Sequence, residues 1–162
     1  MIQKIKNRNH GFTIVETLIV LAIAGLIILI VLLAVPALQR TSRNTNIKSD
    51  ASAVAGGVTE FEGNNAGANP TAIPSPDPKG GVAITGAGGS VPAEAKIQAS
   101  DVVTTTTVTA AAYPTSIASG SLIVHIGQTC GGVVATRAVA IWYPIETSTN
   151  IPNPTASDCV DS

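Results

Sequence analysis

The chain is short of the residues that do chemistry. Aromatics make up 3% of its 162 residues and charged side chains 12%, with two histidines and two cysteines in all. So few aromatics leave little surface for stacking bases. The charge is also of the wrong sign for phosphates: from residue 44 onward, four basic residues (Lys48, Lys79, Lys96, Arg137) stand against nine acids. A mildly acidic, aromatic-poor body is a poor grip for a phosphate backbone, so no direct nucleic-acid binding is expected. His10 lies near the N-terminus, and His125 has no nucleophile or acid clustered with it in sequence to make it a general base. Two distant cysteines and one histidine do not meet the ligand pattern of a zinc site. Asp158 and Asp161 are candidate calcium ligands, but no dense acidic loop surrounds them. The stretch VAITGAGGS, residues 82–90, has the wrong glycine spacing for a dinucleotide-binding turn, and Pro92 stands where the following helix would begin. The expectation is a chain with no catalytic residue, no cofactor and no resident metal.

What the chain does have is one long apolar run, GFTIVETLIVLAIAGLIILIVLL at residues 11–33, broken by a single charge, Glu16. From Thr17 to Leu38 there is no charge at all. As a helix this uncharged stretch spans about 33 Å, enough for a hydrocarbon core of about 30 Å. Lys4, Lys6 and Arg8 precede the run and favour a cytoplasmic N-terminus with the remainder exported, although Arg40, Arg43 and Lys48 nearly balance them on the far side. The alternative is a cleaved signal peptide. Its apolar region is normally only about 7–15 residues, although Val35-Pro36-Ala37 has the small-residue character of a cleavage site. Glu16 is the anomaly, because an acid near the bilayer centre costs about 2.5–3.5 kcal/mol on insertion scales. Either it lies among headgroups on an ordinary anchor helix, or something pairs with it.

The segment G-F-T-I-V-E-T-L-I-V-L-A-I-A-G-L-I behind a short basic leader resembles the processing site and first helix of type IV pilins and the related pseudopilins. The likeness is dense over residues 4–38, where Gly11, Phe12, Glu16 and Gly25 fall in the family pattern. Pro36 lies a little later than the proline typical of the family. The resemblance implies that a prepilin peptidase/N-methyltransferase cuts between Gly11 and Phe12 and methylates the new Phe12 amine. Glycine, lacking a Cβ, leaves that peptide open to a protease. The freed amine would pair with Glu16 of a neighbouring subunit. Apolar helices gain little on moving from lipid into a bundle, so one charge pair at fixed depth can set register where greasiness cannot. Gly25 and Pro36 would mark the part of the helix able to loosen, with a kink near residues 32–36. The implied partners are identical or related pilin subunits, the peptidase, an assembly platform protein, a motor ATPase and the membrane. The implied location is the cytoplasmic (inner) membrane, single-pass with an exported C-terminal domain, and then an extracellular pilus or pseudopilus. The implied function is that of a structural subunit of a type IV pilus-like filament. The alternatives are a pseudopilin of a secretion or DNA-uptake system, or a signal-anchored extracellular binding domain that does not polymerise.

Beyond Arg40 the chain turns polar but keeps a period. Ile47, Ala51, Val54, Val58 and Phe61 share one helical face, and Gly63-Asn64-Asn65 is a stop signal. The pattern predicts a helix over 12–63, with a transmembrane or filament-core part at 12–40 and an amphipathic part at 41–63. Gly56-Gly57 either breaks the helix early or lets a strand approach closely. Residues 64–92, rich in glycine and proline, read as loop with a short strand at 82–85. Strands are predicted at 93–98, 101–109, 121–126 and 133–144, the last two as an antiparallel hairpin around GQTCGG at 127–132. The expected organisation is therefore a leader at 1–11, the helix, and a β-rich domain at 64–162. The fold class is α+β, a long helix packed on a small antiparallel sheet of about four strands. In an exported domain Cys130 and Cys159 are placed to form a disulfide that staples the tail to the hairpin turn; the alternative is two unpaired thiols. The family resemblance favours the bridge, since many type IV pilins carry such a C-terminal loop.

Overall fold

A computed structural model gives the fold and describes residues 11–147 and 156–162. The expected leader lies outside the described residues apart from Gly11. One helix, α1, runs Ile14–Asn64 and continues through Pro36. The chain divides at Gln39/Arg40 into two compact units. In the first unit no described side chain is buried.

In the second unit the predicted stripe does what its spacing requires. Ala51, Val54, Val58 and Phe61 are fully buried and Ile47 nearly so, with Ala55 and Gly57 beside them. At the end of α1, Ala66 and Gly67 take positive φ, and the Gly67 amide donates back to the Glu62 carbonyl at 2.7 Å. The Asn65 side chain donates to the Phe61 carbonyl (2.7 Å) and to the Val91 carbonyl (2.8 Å), and accepts from the Val91 amide (2.7 Å). It thereby satisfies a carbonyl the helix end leaves open and ties down the loop before the second strand.

Six strands follow: β1 Gly81–Ile84, β2 Ala93–Lys96, β3 Val102–Thr107, β4 Ser121–Gln128, β5 Val134–Ile145 and β6 Ala156–Asp161. β1 and β2 form an antiparallel pair of their own, and the other four form a sheet in the order β3-β4-β5-β6. The expected β4–β5 hairpin is present, with Val124 opposite Ile141 and Ile126 opposite Val139. Its register shifts between Ile126 and Gln128. The bulge sits at Gly127, where φ is 101° and a Cβ would stand 2.7 Å from the Val108 carbonyl oxygen, so only glycine fits. Leu122, Val124, Ile126, Val139, Ile141 and Tyr143 point to the α1 stripe and, with Val82, Ile84, Ala93 and Ala95 of the β1–β2 pair, close one core.

The sheet departs from expectation in three ways. It is mixed rather than purely antiparallel, because β3 pairs parallel with β4, Val102 opposite Ser121. Parallel neighbours need a crossover of a dozen or more residues, and 108–120 is such a connection. The strand at 93–98 belongs to the separate pair instead. The fourth strand is β6, in a tail read from sequence only as a disulfide-bounded loop. It pairs antiparallel with β5, Tyr143 opposite Asp158 and Trp142 opposite Cys159.

Gly57 resolves the Gly56-Gly57 question in favour of close approach. A Cβ there would lie 2.5 Å from Ile84 Cδ1 and 3.2 Å from Ala95 Cβ, whereas one at Gly56 meets nothing within 4 Å. Gly57→Val is therefore expected to destabilise by about 1–3 kcal/mol through overpacking. Gly56→Ala should instead stabilise by about 0.5–1 kcal/mol through helix propensity. Urea unfolding of the two variants, followed by far-UV circular dichroism, checks the contrast.

Candidate functional site

The sequence places its chemistry at the start of α1, and the structure gives that start a definite geometry. Gly11, Phe12 and Thr13 precede the helix, so the Gly11–Phe12 peptide lies outside its hydrogen-bond ladder. Glu16 Oε2 accepts from the Thr13 amide at 2.9 Å and from the Thr13 hydroxyl at 2.8 Å, while the Thr13 hydroxyl accepts from the Glu16 amide at 3.2 Å. This is a reciprocal capping box: Thr13 is the N-cap and Glu16 the third helical residue, each satisfying an amide that the helix end would otherwise leave unpaired. An acid in the first turn also lies well with the helix dipole. The T-x-x-E spacing of Thr13 and Glu16 was there to be read in the sequence. The family likeness drew attention to a partner in another subunit and away from the one three residues back. Among the described residues, Glu16 Oε1 accepts no hydrogen bond.

From this cap the apolar side chains run on uncovered. Phe12 is 86% exposed, and every large apolar side chain from Ile14 to Leu38 remains exposed. By length and composition α1 contains a stretch able to cross a membrane, with none of it buried. Gly25 sits within this stretch with open space around it, and Pro36 lies near its end.

In the second unit the charged residues hold secondary elements together. Arg43 of α1 grips Glu146, just after β5, through Nε (2.8 and 2.9 Å) and Nη2 (2.7 Å). The Arg43 guanidinium holds the Glu146 carboxyl below its ordinary range. Beside it the Asn44 side chain donates to the Glu146 carbonyl (3.0 Å) and accepts from the Glu146 amide (2.8 Å).

The far edge strand is stapled. Cys130 and Cys159 form a disulfide with a Cα separation of 5.7 Å. The Cys130 amide donates to Asp161 Oδ1 at 2.6 Å. The Tyr143 hydroxyl donates to Asp158 Oδ2 at 3.0 Å, and burial together with Asp158 pushes the tyrosine up to about 12. Asp158 and Asp161, weighed as calcium ligands, thus act as acceptors that fasten β6. Cys130, Cys159 and Asp161 cluster closely, but both sulfurs are bonded to each other and offer no thiolate.

On the sheet face away from α1, the 108–120 crossover packs Ile117 against Ala140 and Trp142. Tyr113 meets the Trp142 ring edge-on at 5.7 Å. His125 is buried there. Its Nδ1 lies 3.1 Å from the Gln128 amide nitrogen, which also donates to the Ala112 carbonyl (2.6 Å) while Gln128 Oε1 accepts from the Ala112 amide (3.0 Å). Burial lowers the pKa of His125 and favours the neutral ring. Its role there is to support the crossover.

Residues 6–32 match the model of the prokaryotic N-terminal methylation motif, the signature of type IV pilins and pseudopilins. The matched segment contains Gly11, Phe12, Thr13, Glu16 and Gly25, and stops short of Pro36. It supports a precursor of type IV pilin or pseudopilin kind, and it marks a structural family rather than an enzyme family. The motif and the apolar helix fit a precursor anchored in the inner membrane. No curated protein and no solved structure matches the chain.

The staple is testable. Replacing both cysteines, Cys130→Ser with Cys159→Ser, is expected to cost about 2–4 kcal/mol. Urea unfolding of the wild-type chain with and without reductant should reproduce most of that difference, and reductant should leave the double variant unchanged.

Proposed function

We propose that this chain is a prepilin, a structural subunit of a pilus or pseudopilus filament that is processed after Gly11 and assembles through its N-terminal helix. The observation that carries the proposal is a coincidence of position. The methylation motif, residues 6–32, spans the start of α1 at Ile14, and from there to Leu38 every large apolar side chain is exposed. A surface of that kind needs lipid or other helices around it.

In this reading residues 1–11 are the leader, 12–40 the membrane and filament-core helix, 41–63 its amphipathic continuation and 64–162 the exported β domain. Prepilin peptidase hydrolyses the Gly11–Phe12 peptide, whose position outside the helix suits a protease, and the new Phe12 amine is methylated. The precursor waits in the inner membrane, single-pass. Assembly transfers it from lipid into a bundle of like helices, and the platform protein and motor ATPase supply the work. The amine of one subunit meets Glu16 of the next. Thr13 already occupies Glu16 Oε2, fixing the carboxylate's direction and leaving Oε1 to the incoming cation. Gly25 and Pro36 soften the helix where it must adapt to its neighbours.

Mass spectrometry of the mature protein should find an N-methylated Phe12 as its first residue, and Gly11→Val should leave the leader attached. Glu16→Gln should lower the yield of assembled filament by on the order of tenfold or more, since it removes one partner of a desolvated ion pair. Thr13→Val should give a smaller loss, because the backbone amide of residue 13 still holds the carboxylate. Sedimented filament relative to membrane-held precursor measures both. Wild-type filament yield from Glu16→Gln would remove the charge pair from the account.

A further inference from the structure

We infer that His125 and Gln128 form an acid-sensitive latch on the 108–120 crossover, which holds Ala112 while the imidazole is neutral and lets it go when the ring takes a proton. The ends of the crossover are fixed by backbone bonds: the Val108 amide donates to the Ile126 carbonyl at 2.9 Å, and the Ser121 amide to the Ala118 carbonyl at 3.1 Å. Between these ends, among the described residues, one side chain reaches its backbone, the fully buried Gln128. Gln128 Oε1 accepts from the Ala112 amide at 3.0 Å, and Nε2 donates to the Ala112 carbonyl at 2.6 Å. That two-point contact fixes which end of the side-chain amide is the donor. The other Nε2 hydrogen is then left for His125 Nδ1, 3.1 Å away. Nδ1 must accept it, so the neutral ring carries its own proton on Nε2.

A second proton has to enter at Nδ1. It would set one N–H against another at 3.1 Å, on a side chain that is 7% exposed. The Ala112 carbonyl favours the cation, but it already takes Gln128. Either His125 displaces Gln128 from that carbonyl or the two side chains part, and both leave a buried amide hydrogen unpaired. The neighbouring elements bring no charge to offset this. β3 places Thr106 and β5 places Ala140 beside His125, and β4 has no other titratable group. The crossover carries no charge, and Tyr113 is its one titratable residue. The Arg137 guanidinium of β5 lies over Gly67. On β6, Asp161 stands opposite Ala140, two strands or about 10 Å from His125, and accepts from the Cys130 amide. Burial, the larger effect, therefore lowers the His125 pKa, and the Ala112 carbonyl opposes it only in part. The unfolded chain takes up this proton before the folded chain does. The neutral ring's contribution to stability is complete above the ordinary value of 6.5 and is lost as pH falls below it. Tyr113 and Ile117 rest on Trp142 from the same connection, so acid loosens the cover over that ring.

Thermal unfolding of the full chain in detergent micelles, followed by Trp142 fluorescence from pH 7.5 to 5, tests the latch against His125→Asn, which keeps a neutral acceptor near the place of Nδ1. The wild-type Tm should fall about 2–4 °C further than that of the variant. Asp101 and Glu62 are common to both chains, so the difference between the curves isolates His125. Parallel curves overturn the latch. Hydrogen exchange of the wild-type chain, read by mass spectrometry with labelling times scaled to the intrinsic rate at each pH, locates the effect and stands even if the substitution prevents folding. Peptides from 108–120 should lose protection several-fold at pH 5 relative to those from β4 and β5, and unchanged relative protection overturns the proposal. Nitrogen-15 NMR of the histidines at pH 7.5 should find the His125 proton on Nε2, and a proton on Nδ1 overturns it equally.

Discussion

One continuous α-helix has to satisfy two different surroundings, and most of the structure follows from how it does so. Its first half has apolar side chains on every side and buries none of them. Its second half narrows to a stripe, Ile47, Ala51, Val54, Val58 and Phe61, and buries it completely against two small sheets. The change falls where the charges resume at Arg40 and Arg43. An all-round apolar helix and a one-face amphipathic helix have different stable neighbours, lipid or helices for the first and a sheet for the second. No break in the backbone is needed to separate the two roles, since composition alone divides them.

Where a pattern is local, the sequence was legible. The stripe could be read because burial on a helix imposes a period. β4 and β5 could be read because β-branched residues sit close together around a glycine-rich turn. The methylation motif could be read because its residues are densely and specifically spaced. Where placement depends on distant partners, the sequence was silent. Nothing in Thr104–Thr107 says that β3 runs parallel to β4; that follows from where the crossover returns the chain. β6, ASDCVD, has no apolar alternation, and it is a strand because Cys159, Asp158 and Asp161 fasten it to neighbours already in place. Arg43 and Glu146 lie 103 residues apart, and exposed charges carry no period that would join them. Thr13 is a different case: its signal was local, and a more conspicuous reading of Glu16 concealed it.

A chain with so few charges uses several of its acids as ties. Glu16 closes the first turn, Glu146 joins α1 to the end of β5, and Asp158 and Asp161 hold β6. Each of these ties involves an oxygen that accepts from a backbone amide, a hydroxyl or a guanidinium.

The covalent bridge at the sheet's edge has a mechanical consequence. An outermost strand pulled from its free end would normally peel away one hydrogen bond at a time, at low force. Here tension applied at Ser162 meets Cys159 within three residues and passes straight into Cys130, at the turn between the two central strands. The seam between β5 and β6 is bypassed, and a load applied beyond Cys159 passes to the turn that joins β4 and β5.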